Sequence, residues 1–159
     1  MRILIVSDTH GRDKNLEYVL KREGKIDAFI HLGDLEGSEE YLPYQISCPC
    51  YMVAGNNDFY TKLNRELIAE LGKYKVMMTH GHEYVLYLGT DRLAYAGLSR
   101  EVDIVMFGHT HCPLVEKREN ITLVNPGSLS LPRQEGRRPS YIIMTIDEDG
   151  EADYEIKYL

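Results

Sequence analysis

Four of the six histidines fall in two short motifs, Thr79-His80-Gly81-His82 and Gly108-His109-Thr110-His111, each directly after an apolar run. Imidazole is the commonest metal-binding side chain, and histidines clustered this way are hard to explain by core packing. Asp8 and His10 lie two apart beyond the first apolar run, so an extended backbone would send both side chains to one face and onto one cation. Asp34 follows Gly33, where glycine permits a close backbone approach and leaves the carboxylate free to bridge two ions. In Gly55-Asn56-Asn57-Asp58, Asn56 offers a neutral amide oxygen to a hard or borderline cation. Each alone has a plainer explanation, as a capping carboxylate, a loop histidine or an Asn/Gly turn. Their weight comes from being together.

The two remaining questions among the histidines concern His31 and His82. His31 lies inside an apolar run before Gly33-Asp34, which suits a buried, hydrogen-bonded imidazole supporting the site from behind. Two residues past His80, His82 suits either a supporting or substrate-facing position or an inert one on the turn.

These residues need elements to carry them. Arg2 to Val6 and Ala28 to Leu32 are short β-branched or apolar runs with a helix-compatible Asn15 to Arg22 between, a β-α-β pattern. Tyr51 to Ala54, Val76 to Thr79 and Ile104 to Phe107 are further strands, and each hands over to a candidate ligand motif at its end, where open α/β sheets bind ligands. Arg65 to Leu71 has good helix formers, yet Gly72 and the apolar run after it suit a hairpin equally. Thr90 to Arg100 reads as a helix. Beyond His111, Ile121 to Val124, Tyr141 to Ile146 and Tyr154 to Tyr158 are strand-like, separated by turn-rich Asn125-Pro126-Gly127-Ser128 and Asp147-Glu148-Asp149-Gly150. The whole predicts two facing sheets with helices outside, in one domain spanning residues 1–159, without linker, repeat or low-complexity tract.

Bulk properties narrow the function. At 159 residues and 43% apolar content the chain can bury a core of its own. With 18 basic and 25 acidic residues the formal charge is -7, which disfavours binding to a large nucleic-acid polymer. A pocket holding two cations beside Asp8 and Asp34 would nonetheless be locally positive. No run approaches the ~20 apolar residues of a membrane span, and none at the N-terminus suits a signal peptide, so a cytoplasmic protein without membrane association is expected. Cys48, Cys50 and Cys112 match neither a zinc knuckle nor a redox pair, and reduced thiols are expected.

Read in order, Asp8-x-His10, Gly33-Asp34, Gly55-Asn56-Asn57-Asp58, His80-Gly81-His82 and Gly108-His109-Thr110-His111 resemble the calcineurin-like metallophosphoesterase superfamily over essentially the whole chain. The short length and the Asn125-Pro126-Gly127-Ser128 turn resemble its compact bacterial and archaeal phosphodiesterase branch, which is also similar to the retromer subunit Vps29. The resemblance implies a four-layer α/β/β/α sandwich of two mixed sheets. It implies one divalent ion on Asp8, His10 and His111 and a second on Asn56, His80 and His109, with Asp34 shared between them. Imidazole, carboxylate and amide ligands without thiolate suit Mn²⁺, the expected metal, as well as Zn²⁺, Ni²⁺ or Fe²⁺. One departure stands out: Asn57 occupies a position where the superfamily commonly has histidine, and a neutral amide donates a hydrogen bond but delivers no proton at pH 7.

The expected activity is metal-dependent hydrolysis of a small phosphodiester by a hydroxide bridging the two ions, about 3.5–4 Å apart. Asp34 would act as the bridge, Asn57 as a donor near the leaving group and His82 at the substrate, while Arg12, Arg133, Arg137 and Arg138 are either phosphate contacts or solvated surface. The alternatives are a phosphomonoesterase or nucleotidase, and a scaffold or binding protein of the same fold with little turnover. A homodimer or homotetramer is the expected assembly, as is common for small cytosolic enzymes.

Overall fold

The computed structural model describes residues 1–159. In chain order the elements are β1 (Arg2–Val6), α1 (Lys14–Glu23), β2 (Ala28–His31), α2 (Leu42–Gln45), β3 (Cys50–Met52), β4 (Glu66–Leu71), β5 (Tyr74–Thr79), α3 (Asp91–Ser99), β6 (Ile104–Met106), β7 (Pro113–Arg118), β8 (Ile121–Pro126), β9 (Ser140–Ile146) and β10 (Ala152–Tyr158). Single-turn helices at Ser38–Glu40, His82–Tyr84 and Leu86–Leu88 interrupt the loops.

Two five-stranded mixed sheets result, ordered β10-β9-β1-β2-β3 and β4-β5-β6-β8-β7. Strand alternation decides the layers, because successive side chains leave opposite faces. Ile3, Ile5, Ile142 and Met144 of the first sheet meet Val76, Met78, Ile104 and Met106 of the second in the core between the sheets. Their neighbours Leu4, Val6, Tyr141 and Ile143 pack outward against Leu16 and Val19 of α1. On the far side Met77, Val105 and Phe107 pack against Leu93 and Ala94 of α3. Each fully buried aliphatic contributes about 1.5–3 kcal/mol. The expected α/β/β/α sandwich is thus present, in four layers and a single domain. No helix is long and apolar enough to cross a membrane.

Two segments differ from or sharpen the sequence reading. Residues 66–71 form a strand rather than a helix, paired antiparallel with β5 from Glu66 opposite Thr79 to Leu71 opposite Tyr74. The hairpin is made through Gly72 at φ +62°, and cross-strand pairing overrides the helix propensity of the run. β7 was not expected, because a strand that opens on proline and runs through Glu116, Lys117 and Arg118 lacks a clear apolar alternation. It survives as an edge strand on β8, the place where proline and charge are tolerated.

Parallel pairing of β1, β2 and β3 in one sheet, and of β5, β6 and β8 in the other, brings the carboxyl ends of the strands to common edges. The loops that follow remain laddered: Asp8 N–H donates to the Gly33 carbonyl (3.0 Å), His10 N–H to that of Asp34 (2.9 Å) and Gly108 N–H to that of His80 (3.1 Å).

Candidate metal centre

Five of the seven proposed ligands do not sit on extended backbone. Asp8, His10, Asp34, His109 and His111 all occupy positive φ, between 50° and 67°, which corrects the expectation that Asp8 and His10 converge by strand alternation. Such residues cost about 1–3 kcal/mol each where the side chain is not glycine, and they persist only where surrounding contacts enforce them. Here the left-handed turns fold each side chain back over the strand ends.

The side chains meet there. One ligand atom from each of Asp8, His10, Asp34 and His111 lies within 4.8 Å of the others. His111 Nε2 is 3.0 Å from Asp8 Oδ1, and His10 Nε2 is 3.7 Å from Asp34 Oδ2. His80 Nε2 is 3.5 Å from Asp34 Oδ2 and 3.1 Å from Asn56 Oδ1, so the same Asp34 oxygen is approached by both His10 and His80. His109 packs edge-on against His80 at 5.2 Å between ring centres.

Ring orientation is set from behind. The Nδ1 of His80 faces the Leu32 carbonyl at 2.7 Å and that of His111 the Leu131 carbonyl at 2.6 Å. A carbonyl only accepts, so each Nδ1 carries a proton, and it is Nε2 whose lone pair the neutral ring offers to the centre. His10 Nδ1 lies 2.6 Å from Glu36 Oε1, a carboxylate–histidine pairing that fixes its ring in the same sense. Asp8 Oδ1 is buried without a hydrogen-bond donor, and the Nε2 atoms of His10 and His111 face one another at 3.4 Å. Lone pairs turned inward around a buried, undonated carboxylate oxygen are a donor set that fits a divalent cation.

Protonation follows the same geometry. Burial alone would raise the Asp34 carboxyl, but the His80 imidazole and then Asn57 outweigh it and hold it below the usual carboxylate range. Burial likewise opposes ionisation of Asp8, and contacts with His111 and His80 reverse the sign. His80 is raised despite its burial by Asp34 and Asp8, whereas burial and the nearby His80 depress both His82 and His109.

Residues 1–149 match the calcineurin-like phosphoesterase superfamily domain. The chain belongs to this superfamily. A probable metallophosphoesterase of Bacillus subtilis, YsnB, is 34% identical over 150 residues, covering 94% of this chain and 86% of its own. A predicted phosphoesterase from Streptococcus pneumoniae superposes with a TM-score of 0.81 at 31% identity, over 99% of this chain and 97% of its own. Likenesses at 23% identity are of fold alone: an archaeal phosphodiesterase (TM-score 0.76, covering 99% and 100%) and a zinc-bound Vps29 of Entamoeba histolytica (0.78, 99% and 99%).

In this calcineurin-like chain Asn57 grips Asp34 twice, its backbone N–H donating to Oδ1 (2.9 Å) and its amide to Oδ2 (2.7 Å). His82 stands 5.5 Å from His80 and 6.1 Å from His109 between ring centres, with its Nδ1 unpartnered. His31 is fully buried behind the site, 3.1 Å from the Thr9 hydroxyl, and burial pushes it down to about 4, so it is neutral. Among the arginines, Arg133 lines a cleft beside His109, whereas Arg138 lies over the Tyr158 ring.

Sequence reasoning missed several supporting groups. The Asp58 carboxylate accepts from the backbone N–H of Asp34 (2.8 Å), Gly55 (2.7 Å) and Glu36 (2.7 Å), clamping the loop after β2 to the loop after β3. Ser128 and Ser130 hydroxyls both donate to the Asp8 carbonyl (2.8 and 3.0 Å), and the Asn125 amide to the Gly108 carbonyl (2.8 Å). The available signal was Asp58 closing a Gly-Asn-Asn turn and small hydroxyls beside Asn125-Pro126, each of which also describes an ordinary loop. Gly55 is demanded by proximity: a Cβ there would lie 2.1 Å from Asp34 Oδ1 and 2.4 Å from its backbone nitrogen.

Proposed function

We propose that the chain is a metal-dependent phosphodiesterase acting on a small phosphodiester, with two divalent cations, Mn²⁺ in the cell. The observation that carries this reading is the convergence of Asp8, His10, Asp34 and His111, whose ligand atoms lie within 4.8 Å of one another. Asp8, His10 and His111 would hold one cation and Asn56, His80 and His109 the other, with Asp34 shared. When bound, such a pair supplies Lewis acidity at the phosphoryl oxygens and a water whose pKa falls toward ~7.

The chain's own side chains hold that arrangement rigid. Asn57 fixes both oxygens of Asp34, Glu36 and the Leu32 and Leu131 carbonyls fix the imidazoles, and Asp58 fixes the loop that carries Asp34. Catalysis then draws on preorganisation, with ligands that need no rearrangement as charge develops. Because the Asn57 amide is occupied by Asp34 and cannot yield a proton, esters with good leaving groups should be favoured. The fold likeness to an archaeal phosphodiesterase supports diesters over monoesters, and the zinc-bound Vps29 makes Zn²⁺ the leading alternative metal. Three free cysteines are in keeping with a reducing cytoplasm.

The test is hydrolysis of bis(4-nitrophenyl) phosphate by the protein loaded with Mn²⁺ or Zn²⁺, alongside 4-nitrophenyl phosphate. Asp34→Asn and His111→Ala should abolish metal-dependent turnover while circular dichroism stays native. Full activity in either variant, or faster turnover of the monoester, would overturn the reading.

A further inference from the structure

Two clefts flank the metal centre, and they differ in charge. One is walled by Glu36, Glu39, Glu40 and Asp58 and has no cation in its lining. The other, of about 610 Å³, shares His82 and His109 with the centre and is completed by Val85, Leu86, Tyr87 and Arg133. A phosphodiester is an anion, so the acidic cleft repels it and Arg133 attracts it. The second cleft is therefore the one suited to an ester arm leaving the centre, and it is within the size range of small-molecule sites.

The apolar wall of that cleft is built with care. Val85 is β-branched yet sits at φ 55°, ψ 48°, a left-handed conformation such residues rarely adopt and one that gathers at ligand clamps. It is held on one side by Glu83 on Arg65 (2.6 Å) and by the Tyr84 hydroxyl on Glu66, which also meets Arg100. On the other side Leu86 packs down on Gly81, where an added Cβ would lie 2.9 Å from its Cδ1. Between these anchors and the solvent, Tyr87 is 85% exposed, a large ring presented to the cleft's mouth.

We propose that this cleft is the subsite for the second ester arm of the substrate and selects a flat aromatic or heteroaromatic group. The arm stacks on Tyr87 against Val85 and Leu86, and Arg133 faces the phosphoryl oxygens. The inference rests on the phosphodiesterase reading and adds to it the class of diester. A monoester, or a diester with two small alkyl arms, leaves Tyr87 unused.

Equilibrium binding decides it without turnover. Titration calorimetry of the Mn²⁺-loaded protein with diphenyl phosphate and dimethyl phosphate should show the diphenyl ester bound about tenfold or more tightly, the size of one base-like stacking contact. Tyr87→Ala should remove most of that preference while leaving dimethyl phosphate binding and the melting temperature unchanged, and Arg133→Gln should weaken both esters together. The proposal is overturned if the wild type shows no preference, or if Tyr87→Ala leaves diphenyl phosphate binding intact or weakens both esters alike. Turnover of bis(4-nitrophenyl) phosphate is followed in parallel. Its absence with the binding preference intact strikes at the catalytic reading and supports the subsite.

Discussion

Asp58 is the residue through which the arrangement of the loops can be tested most sharply. Its carboxylate accepts three backbone N–H groups, from Asp34, Glu36 and Gly55, at 2.7–2.8 Å. Hydrogen bonds to a charged acceptor are each worth about 1.5–3 kcal/mol, which sets an upper range of roughly 4–9 kcal/mol for Asp58→Ala. The true loss is smaller, because Asp58 is 9% exposed at the wall of the acidic cleft and water can enter the vacated space. A loss of about 3 kcal/mol is expected, equivalent to a melting temperature lower by roughly 6–12 °C for a chain of this size. Because the freed N–H groups belong to the residues that place and orient ligands, affinity for Mn²⁺ should fall by about 10–100-fold, as when an outer partner of a ligand is removed. Asp58→Asn, which keeps one acceptor oxygen, should fall between. Differential scanning calorimetry and a metal titration check both numbers. A variant melting within about 2 °C of the wild type with unchanged Mn²⁺ affinity would refute the clamp, since a shift that small corresponds to less than about 1 kcal/mol.

Gly55→Ala should lower both the melting temperature and the affinity for Mn²⁺, because its Cβ would lie 2.1 Å from Asp34 Oδ1 and 2.4 Å from the Asp34 backbone nitrogen and must push both aside; isothermal titration with Mn²⁺ checks this, and native affinity would count against the packing described. Far from the site, the Glu23 side chain is only 4% exposed and meets Arg2, Lys157 (3.2 Å) and the Tyr141 hydroxyl (2.5 Å). Burial raises its pKa, but Tyr141, Lys157 and Arg2 together bring it below the ordinary 4.5. A depressed folded-state pKa means stability present above about pH 4.5 and lost as pH falls through the folded value. Glu23→Gln should therefore cost about 1–3 kcal/mol at pH 7 and progressively less below pH ~4, measured as the difference from wild type in urea denaturation; a difference independent of pH would contradict it.

Much of the fold could be read locally. The runs at residues 2–6, 28–32, 76–79, 104–107 and 141–146 are strands because β-branched and apolar residues suit a pleated surface buried on both faces. The helices near residues 15–22 and 90–100 were equally visible. The candidate ligands were visible too, since Asp8, Asp34, Asn56, His80 and His109 each follow an apolar run, and two histidine pairs beyond strand ends have few uses other than chemistry. Where a segment's local tendencies were balanced, as at 66–71, or faint, as at 113–118, the outcome waited on the partner strand.

What the chain's order alone determined, then, was which side chains are delivered to the carboxyl edges of the strands, because strand formation and chain direction are short-range properties. How they are aimed was decided only in three dimensions. The left-handed turns at Asp8, His10, Asp34, His109 and His111 are enforced by contacts with other loops, and the proton positions on His80 and His111 are set by the carbonyls of Leu32 and Leu131, 48 and 20 residues away. Ser128 and Ser130 reach Asp8 across 120 and 122 residues. A hydrogen bond between segments so distant leaves no periodicity or propensity in either one, so its partners look like ordinary turn residues until the sheets bring them together.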